Sequence, residues 1–305
     1  VRGFFEDGGS RAYIVRLADN ASSLPPAALI STNDLNDIDL IACPGMTDVS
    51  SHETLISHCE ARRDRFAILD LSPDITDVND MRQLAALGGS RPRDADGGVA
   101  AVYAPWLDVL SHHGDPALRV APSGHVCGAF ARNDAMRGVH RTPANLTLRG
   151  VTGLSQDFSS AETSVLNVAH INAIRIIPGR GIKIWGARTL TGSGSEYKYV
   201  SVRRLATFID RAIVDGTKWT VFEPNDPTLW RSVRRDVSAF LSGLWRQGAL
   251  RGNRLDDSFF VKCGKETMSQ SDLDQGRLIV HVGFAPVKPA EFVVLRITQI
   301  AGQAD

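Results

Sequence analysis

Between residues 38 and 104 short apolar strands alternate with amphipathic helices, and this pattern constrains the fold more than any other stretch of the chain. Residues 38–43 read as a strand that ends at Pro44-Gly45, and residues 50–64 as a helix with Leu55, Ile56 and Cys59 on its inner face. Residues 65–71 form a second apolar strand, residues 78–87 a helix ended by Gly88-Gly89, and residues 99–104 a third strand. Such an alternation means a mostly parallel sheet covered by helices, so the expected class of the N-terminal part is α/β. With 305 residues, 43% of them hydrophobic and 22% charged, the chain can bury a large core and carry two subdomains. The expected division is an α/β part over residues 1–120 and an α+β part over residues 121–305.

Sheets of this kind often bind ligands at the carboxyl ends of their strands. Those ends offer Cys43-Pro44-Gly45, Asp70 with Ser72, and Pro105-Trp106. Asp70 could serve as a general base or a ribose acceptor, although a strand-end aspartate more often caps the next loop or helix. No G-x-G-x-x-G follows any of these strands and Walker A is absent, which argues against a nucleotide site. Cys43, Cys59, Cys127 and Cys263 are far apart with no C-x-x-C pair, so buried free thiols in a reducing compartment are expected and a zinc site is not. No apolar run is long enough to span a bilayer and no signal peptide opens the chain. Basic and acidic residues balance at 34 each, but residues 1–120 carry 10 basic and 18 acidic side chains while residues 121–305 carry 24 and 16. That split suggests two faces meeting different partners rather than a nucleic-acid binder, unless it is only uneven solvated surface.

Residues 1–9 look like the last turns of a helix ended by Gly8-Gly9, residues 11–17 alternate as a strand, and residues 18–36 read as a loop. Residues 123–134 suit a helix with Ser123 as N-cap, its glycines and alanines allowing close packing. His125 beside Cys127 raises a thiol nucleophile, but i and i+2 do not share a helix face. Residues 172–190 read as two short strands joined by Pro178-Gly179-Arg180-Gly181. A phosphate loop is the first thought there, yet no helix N-terminus or partner motif supports it. A stiff hairpin is expected, with Trp185 packed inside and Arg175, Arg180 and Arg188 free for buried pairs or subunit contacts.

A helix running to about Val214 should turn Leu205, Phe208, Ile209 and Ala212 inward, and residues 218–222 read as a strand. Glu223 and Asp226 could form a carboxylate pair for hydrolysis, but Pro224 and Pro227 favour a rigid turn with Asp226 capping the next helix. That helix, residues 228–248, carries an apolar stripe of Trp230, Val233, Val237, Phe240, Leu241 and Leu244, with Arg231, Arg234, Arg235, Ser238 and Ser242 on the other side. Residues 258–263 and 277–284 read as strands flanking a polar loop at residues 267–275. The last strand comprises Glu291, Phe292, Val293, Val294, Leu295, Arg296, Ile297, Thr298, Gln299 and Ile300. An apolar strand at a chain end is an aggregation hazard unless it is paired.

Several segments resemble, in order, those of the tail sheath proteins of contractile phage tails and related injection systems. They are residues 122–126, 137–145 and 171–172, Pro178-Gly179-Arg180-Gly181, residues 185–189, Phe222-Glu223-Pro224-Asn225 and residues 286–292. The resemblance covers essentially the whole chain and is densest from Pro122 onward. It implies a structural protein, with no catalytic residues, cofactor or metal, that polymerises as stacked hexameric rings around an inner tube. It implies contraction from a metastable extended state, partners in the tube, baseplate and terminal cap proteins, no nucleic acid, no membrane insertion, and assembly in the bacterial cytoplasm. A helix of the C-terminal region contacts the tube in this family, which makes Arg231, Arg234 and Arg235 the candidate tube contact. Terminal arms add strands to neighbouring subunits, which assigns that role to residues 291–300. Family members normally carry further N-terminal sequence, including one exchanged arm, and this chain is expected to lack it. The competing reading is an α/β enzyme with a strand-end site at Asp70 and His125.

Overall fold

The computed structural model describes residues 1–18, 21–110, 117–192 and 194–291. In chain order the elements are α1 (Arg2–Glu6), α2 (Ala27–Ile30), β1 (Leu40–Ala42), α3 (Val49–Arg62), β2 (Phe66–Asp70), α4 (Val78–Arg82), β3 (Ala100–Ala104), β4 (Leu107–Val109) and β5 (Leu118–Val120). There follow α5 (Ser123–Arg137), β6 (Leu146–Thr147), β7 (Val151–Leu154), α6 (Ser160–Val168), β8 (Ile171–Ile177), β9 (Gly181–Ile184) and α7 (Val200–Gly216). The chain continues through α8 (Pro227–Arg246), α9 (Leu255–Ser258), β10 (Phe259–Lys262), α10 (Gln270–Asp274) and β11 (His281–Phe284).

Six strands form a mixed sheet in the order β1-β2-β3-β8-β9-β6. The first four run parallel, and β9 and β6 are antiparallel additions. The sheet takes strands from both sides of residue 120. Every residue of β2 and β3 is buried, because both faces are covered, which is why these strands read as continuous apolar runs. On one face Leu55, Ile56 and Cys59 of α3 pack on Leu69, Val102 and Ile171. On the other, Val126, Ala129 and Phe130 of α5 pack on Ile68, Tyr103 and Ile174. Gly128 lets α1 lie directly on α5, since a Cβ there would sit 2.2 Å from the Phe4 carbonyl oxygen. A third core joins α7 and α8 to the β10–β11 ribbon through Leu205, Ile209, Trp230, Val233, Val237 and Leu241. Each such buried side chain is worth about 1.5–3 kcal/mol.

Several sequence expectations need correction. Residues 11–17 form no strand; Arg11 and Tyr13 instead tie this segment to Asp37, at 2.7 and 2.9 Å, and Tyr13, Ile14 and Val15 are exposed. The helix expected over residues 78–87 stops at Arg82, and a separate 3-10 turn, Ala85–Leu87, precedes Gly88 at φ 89°. Residues 218–222 are not a strand: Lys218–Thr220 is a 3-10 turn, and Phe222 stands fully exposed at φ 72°. The polar loop at 267–275 contains α10, started by a Ser269/Asp272 capping box. The strand expected over residues 277–284 is confined to β11. Residues 292–300 of the expected last strand lie outside the described residues.

Candidate assembly site

The hairpin β8–β9 is built as a frame for one arginine. Asn172, buried at the start of β8, accepts from the backbone N–H of Arg188 (2.7 Å) and donates to its carbonyl (2.8 Å). Gly186 is needed for this approach, because a Cβ there would lie 2.8 Å from the Asn172 Cα. Held in this way, the Arg188 side chain makes a two-pronged pair with Glu291: Nε to Oε1 at 2.8 Å and Nη2 to Oε2 at 2.7 Å. Its remaining nitrogen donates to the Asn167 carbonyl at 2.7 Å. The Tyr199 hydroxyl donates to Glu291 Oε2 at 3.2 Å, and the Lys198 ammonium lies 3.9 Å from it. Burial pushes the Glu291 carboxyl up, but Arg188, Lys198 and Tyr199 together outweigh it and hold the group below its ordinary value. Three residues earlier, Lys288 pairs with Glu196 at 3.1 Å. The chain is therefore fastened to the body immediately before residues 292–300. The expectation for Arg188 was a buried pair or a subunit contact; its partner turns out to be Glu291, read from sequence only as the first residue of a strand. An isolated acid just after the Pro286–Pro289 stretch was the available signal.

Asp226 accepts from the backbone N–H groups of Thr228 and Leu229 (2.8 and 2.9 Å), so it starts α8 as expected and forms no carboxylate pair with Glu223. Along α8, Trp230, Val233, Val237, Leu241 and Leu244 are buried, while Phe240 is half-buried. The three arginines do not act alike. Arg231 and Arg235 are exposed, with only local partners, Thr228 at 3.2 Å and Asp236 at 2.9 Å. Arg234 is half-buried and donates to the Cys263 carbonyl, tying α8 to the end of β10. Ser242, expected on the same polar side, is buried and donates to the Ser238 carbonyl at 2.7 Å.

The β10–β11 ribbon is a sheet of only two strands, and neither outer edge is paired among the described residues. Two strands alone are marginal in water, and open edges accept further strands.

The catalytic candidates are spent on other partners. Asp70, fully buried, accepts from the Ser123 N–H (2.8 Å), the Ser123 hydroxyl (2.7 Å) and the Gly45 N–H (3.2 Å). It caps α5 from the end of β2, which displaces Ser123 from the N-cap role expected for it; Pro122 occupies that position. Burial raises the Asp70 carboxyl to about 6 despite these donors. His125 points away from it and pairs with Asp7 at 2.8 Å, where Arg132 and the Arg149 N–H also converge. Burial pushes the Cys127 thiol up to about 12, leaving no thiolate to attack anything. The groove beside α7 and α8 has its charges paired internally, Arg204 with Asp134 and Arg211 with Asp39. Among the described residues no cluster of three or more His, Cys, Asp or Glu could hold a metal ion, and no helix is long and apolar enough to cross a membrane. Trp185, expected inside the hairpin, is 43% exposed, and Phe208, expected to face inward on α7, is equally exposed.

Comparison with known proteins places this fold. Residues 34–190 match the phage tail sheath protein central domain, and residues 193–300 the phage tail sheath C-terminal domain. A putative prophage major tail sheath protein of Pseudomonas aeruginosa is 29% identical over 83% of this chain and 62% of its own length. The tail sheath protein of Enterobacteria phage T4 is 23% identical over 59% of this chain. This chain spans 62% of the prophage protein's length and 27% of the phage T4 protein's. Among solved structures, the sheath of an extracellular contractile injection system in its contracted state superposes with a TM-score of 0.84 at 32% identity, covering 98% of this chain and 78% of that one. The helical sheath of the anti-feeding prophage, also contracted, gives 0.81 at 33%, covering 98% and 80%. The chain belongs to the phage tail sheath family.

Proposed function

We propose that this chain is the structural subunit of a contractile sheath, which polymerises as stacked hexameric rings around an inner tube and contracts from an extended state to drive the tube through a target envelope. The observation that carries this reading is the likeness, over 98% of the chain and at 32–33% identity, to sheaths solved in their contracted state. The work of contraction would come from interface buried between rigid subunits, with strands shared between neighbours keeping the mesh connected. Residues 291–300 supply the added strand, and the open-edged β10–β11 ribbon is the natural receptor for one. Glu291, clamped by Arg188, lets such an arm pull on the body without peeling away from it. The tube contact falls to the exposed arginines of α8, Arg231 and Arg235, while Arg234 holds the helix in place. The role is mechanical rather than catalytic. A baseplate partner is favoured by the likeness to a chain from the anti-feeding prophage baseplate, and a terminal cap completes the polymer. Assembly takes place in the bacterial cytoplasm, within a phage tail or tail-like particle.

Electron micrographs of the native particle test the reading. The expected result is a sheath of two lengths, long and narrow or short and wide, around a tube. A purified chain that stays monomeric at high concentration and turns over a small molecule would overturn it.

A further inference from the structure

One face of the β8–β9 hairpin carries two cations with no acidic partner among the described residues. Ile171 and Ala173 of β8 pack into the α3-side core, and Ala173 is the last residue of the strand to do so. Two residues on, Arg175 lies on the same face, directly opposite Lys183 of β9, and Thr147 of β6 faces Lys183 from the other side. Trp185, whose backbone N–H donates to the Ala173 carbonyl at 2.8 Å, adds a half-exposed indole beside them. The Arg175 Nε is buried without a hydrogen-bond partner, and the Lys183 ammonium reaches only the Asn145 carbonyl, at 3.2 Å. Like charges directly opposite on paired strands repel, and an orphaned buried donor adds to that cost. Among the described residues no acidic side chain pairs with either cation.

The same chain exposes an unmatched acidic segment. Asp74, Asp77 and Asp80 lie in the span 74–80 that follows β2 and are all exposed. Asp77 caps α4 through the Asn79 N–H, and no basic side chain pairs with any of the three among the described residues. We infer that the Arg175–Lys183–Trp185 face docks the Asp74, Asp77 and Asp80 segment of a second copy of this chain. The indole supplies the desolvated anchor of the contact, and the two cations its matched charges. Two different patches can meet head-to-tail, and a contact of that kind propagates into the ring or helix that the sheath reading requires. The inference rests on the sheath reading and adds to it one surface by which copies meet.

The test uses the full chain, followed by sedimentation velocity and electron microscopy. One variant carries Arg175→Glu and Lys183→Glu, and a second carries Asp74→Arg and Asp80→Arg. Alone, each should fold with its melting temperature near that of wild type and need about tenfold or more higher concentration to polymerise. Mixed in equal amounts they should co-assemble, since each then meets its opposite charge. A third variant, Arg175→Met with Lys183→Met, should melt higher than wild type while assembling less well. Polymerisation of any of the three at the wild-type concentration, or a mixture that stays dispersed, would overturn the inference and leave the sheath reading standing. A wild-type chain that never self-associates would overturn both.

Discussion

A carboxylate set against a guanidinium, an ammonium and a phenol is held in its charged form, and Glu291 is such a group. Its folded value lies below the ordinary 4.5, so the clamp's contribution is complete above that pH and is lost as pH falls through the lower folded value. Glu291→Gln should therefore lower stability at pH 7, by about 1.5–3 kcal/mol for a charged hydrogen bond, and remove this acid-induced loss. Urea titrations of both proteins at pH 7 and pH 3 measure it. Asp70 titrates in the opposite sense. Burial raises it from 3.8 to about 6, so the folded state binds a proton more readily than the unfolded one. Its contribution is complete below 3.8 and is lost as pH rises through about 6. Asp70→Asn should flatten that fall, because the amide does not ionise, while costing about 1–3 kcal/mol where its NH2 replaces an oxygen that accepts from Ser123 or Gly45. Stability measured in steps between pH 4 and 7 checks it: a variant as pH-dependent as wild type would show that Asp70 is not the titrating group.

At the scale of elements, α8 separates holding from contact. Arg234→Ala should cost about 1–2 kcal/mol by orphaning the Cys263 carbonyl, seen as a lower melting temperature. Arg231→Glu with Arg235→Glu should leave melting unchanged but weaken tube co-assembly in a salt-dependent way. Unaltered, salt-independent co-assembly would remove the tube assignment from this helix. The helix itself was legible in the sequence because its signals are local: a 3–4 spaced apolar stripe and an Asp-Pro start. The same holds for β1, α3, β2 and β3, whereas α4 ends five residues short of the expected helix. What was not legible depends on partners. Residues 11–17 alternate correctly, but alternation makes a strand only where a ladder exists, and Asp37 holds the segment by side chains instead. Trp185 reads as a core residue by type, yet its place in the alternation puts it on the face of Lys183, beyond the end of the α3-side packing. The Arg188–Glu291 clamp spans 103 residues, a separation no periodicity reports.

For the whole molecule, the question is which parts belong to a single copy and which need a neighbour. The three cores close within the chain, and the central sheet is covered on both faces over β2 and β3. Among the described residues the β10–β11 ribbon leaves both outer edges without a strand partner, and the Glu291 clamp and the arm proposed beyond it have separate roles. Two truncations separate them. A chain ending at Glu291 keeps the clamp and loses only the arm, whereas one ending at Ala290 loses both. If residues 292–300 add a strand to a neighbour, both truncated chains should remain folded monomers where the full chain polymerises, as seen by sedimentation velocity. The shorter should also melt lower, by a few degrees for about 2 kcal/mol, because Arg188 then faces no carboxylate. Equal melting of the two would mean that the clamp contributes nothing to the body. Polymerisation of the chain ending at Glu291 would end the strand-addition proposal for this terminus, because no other part of that arm remains to be shared.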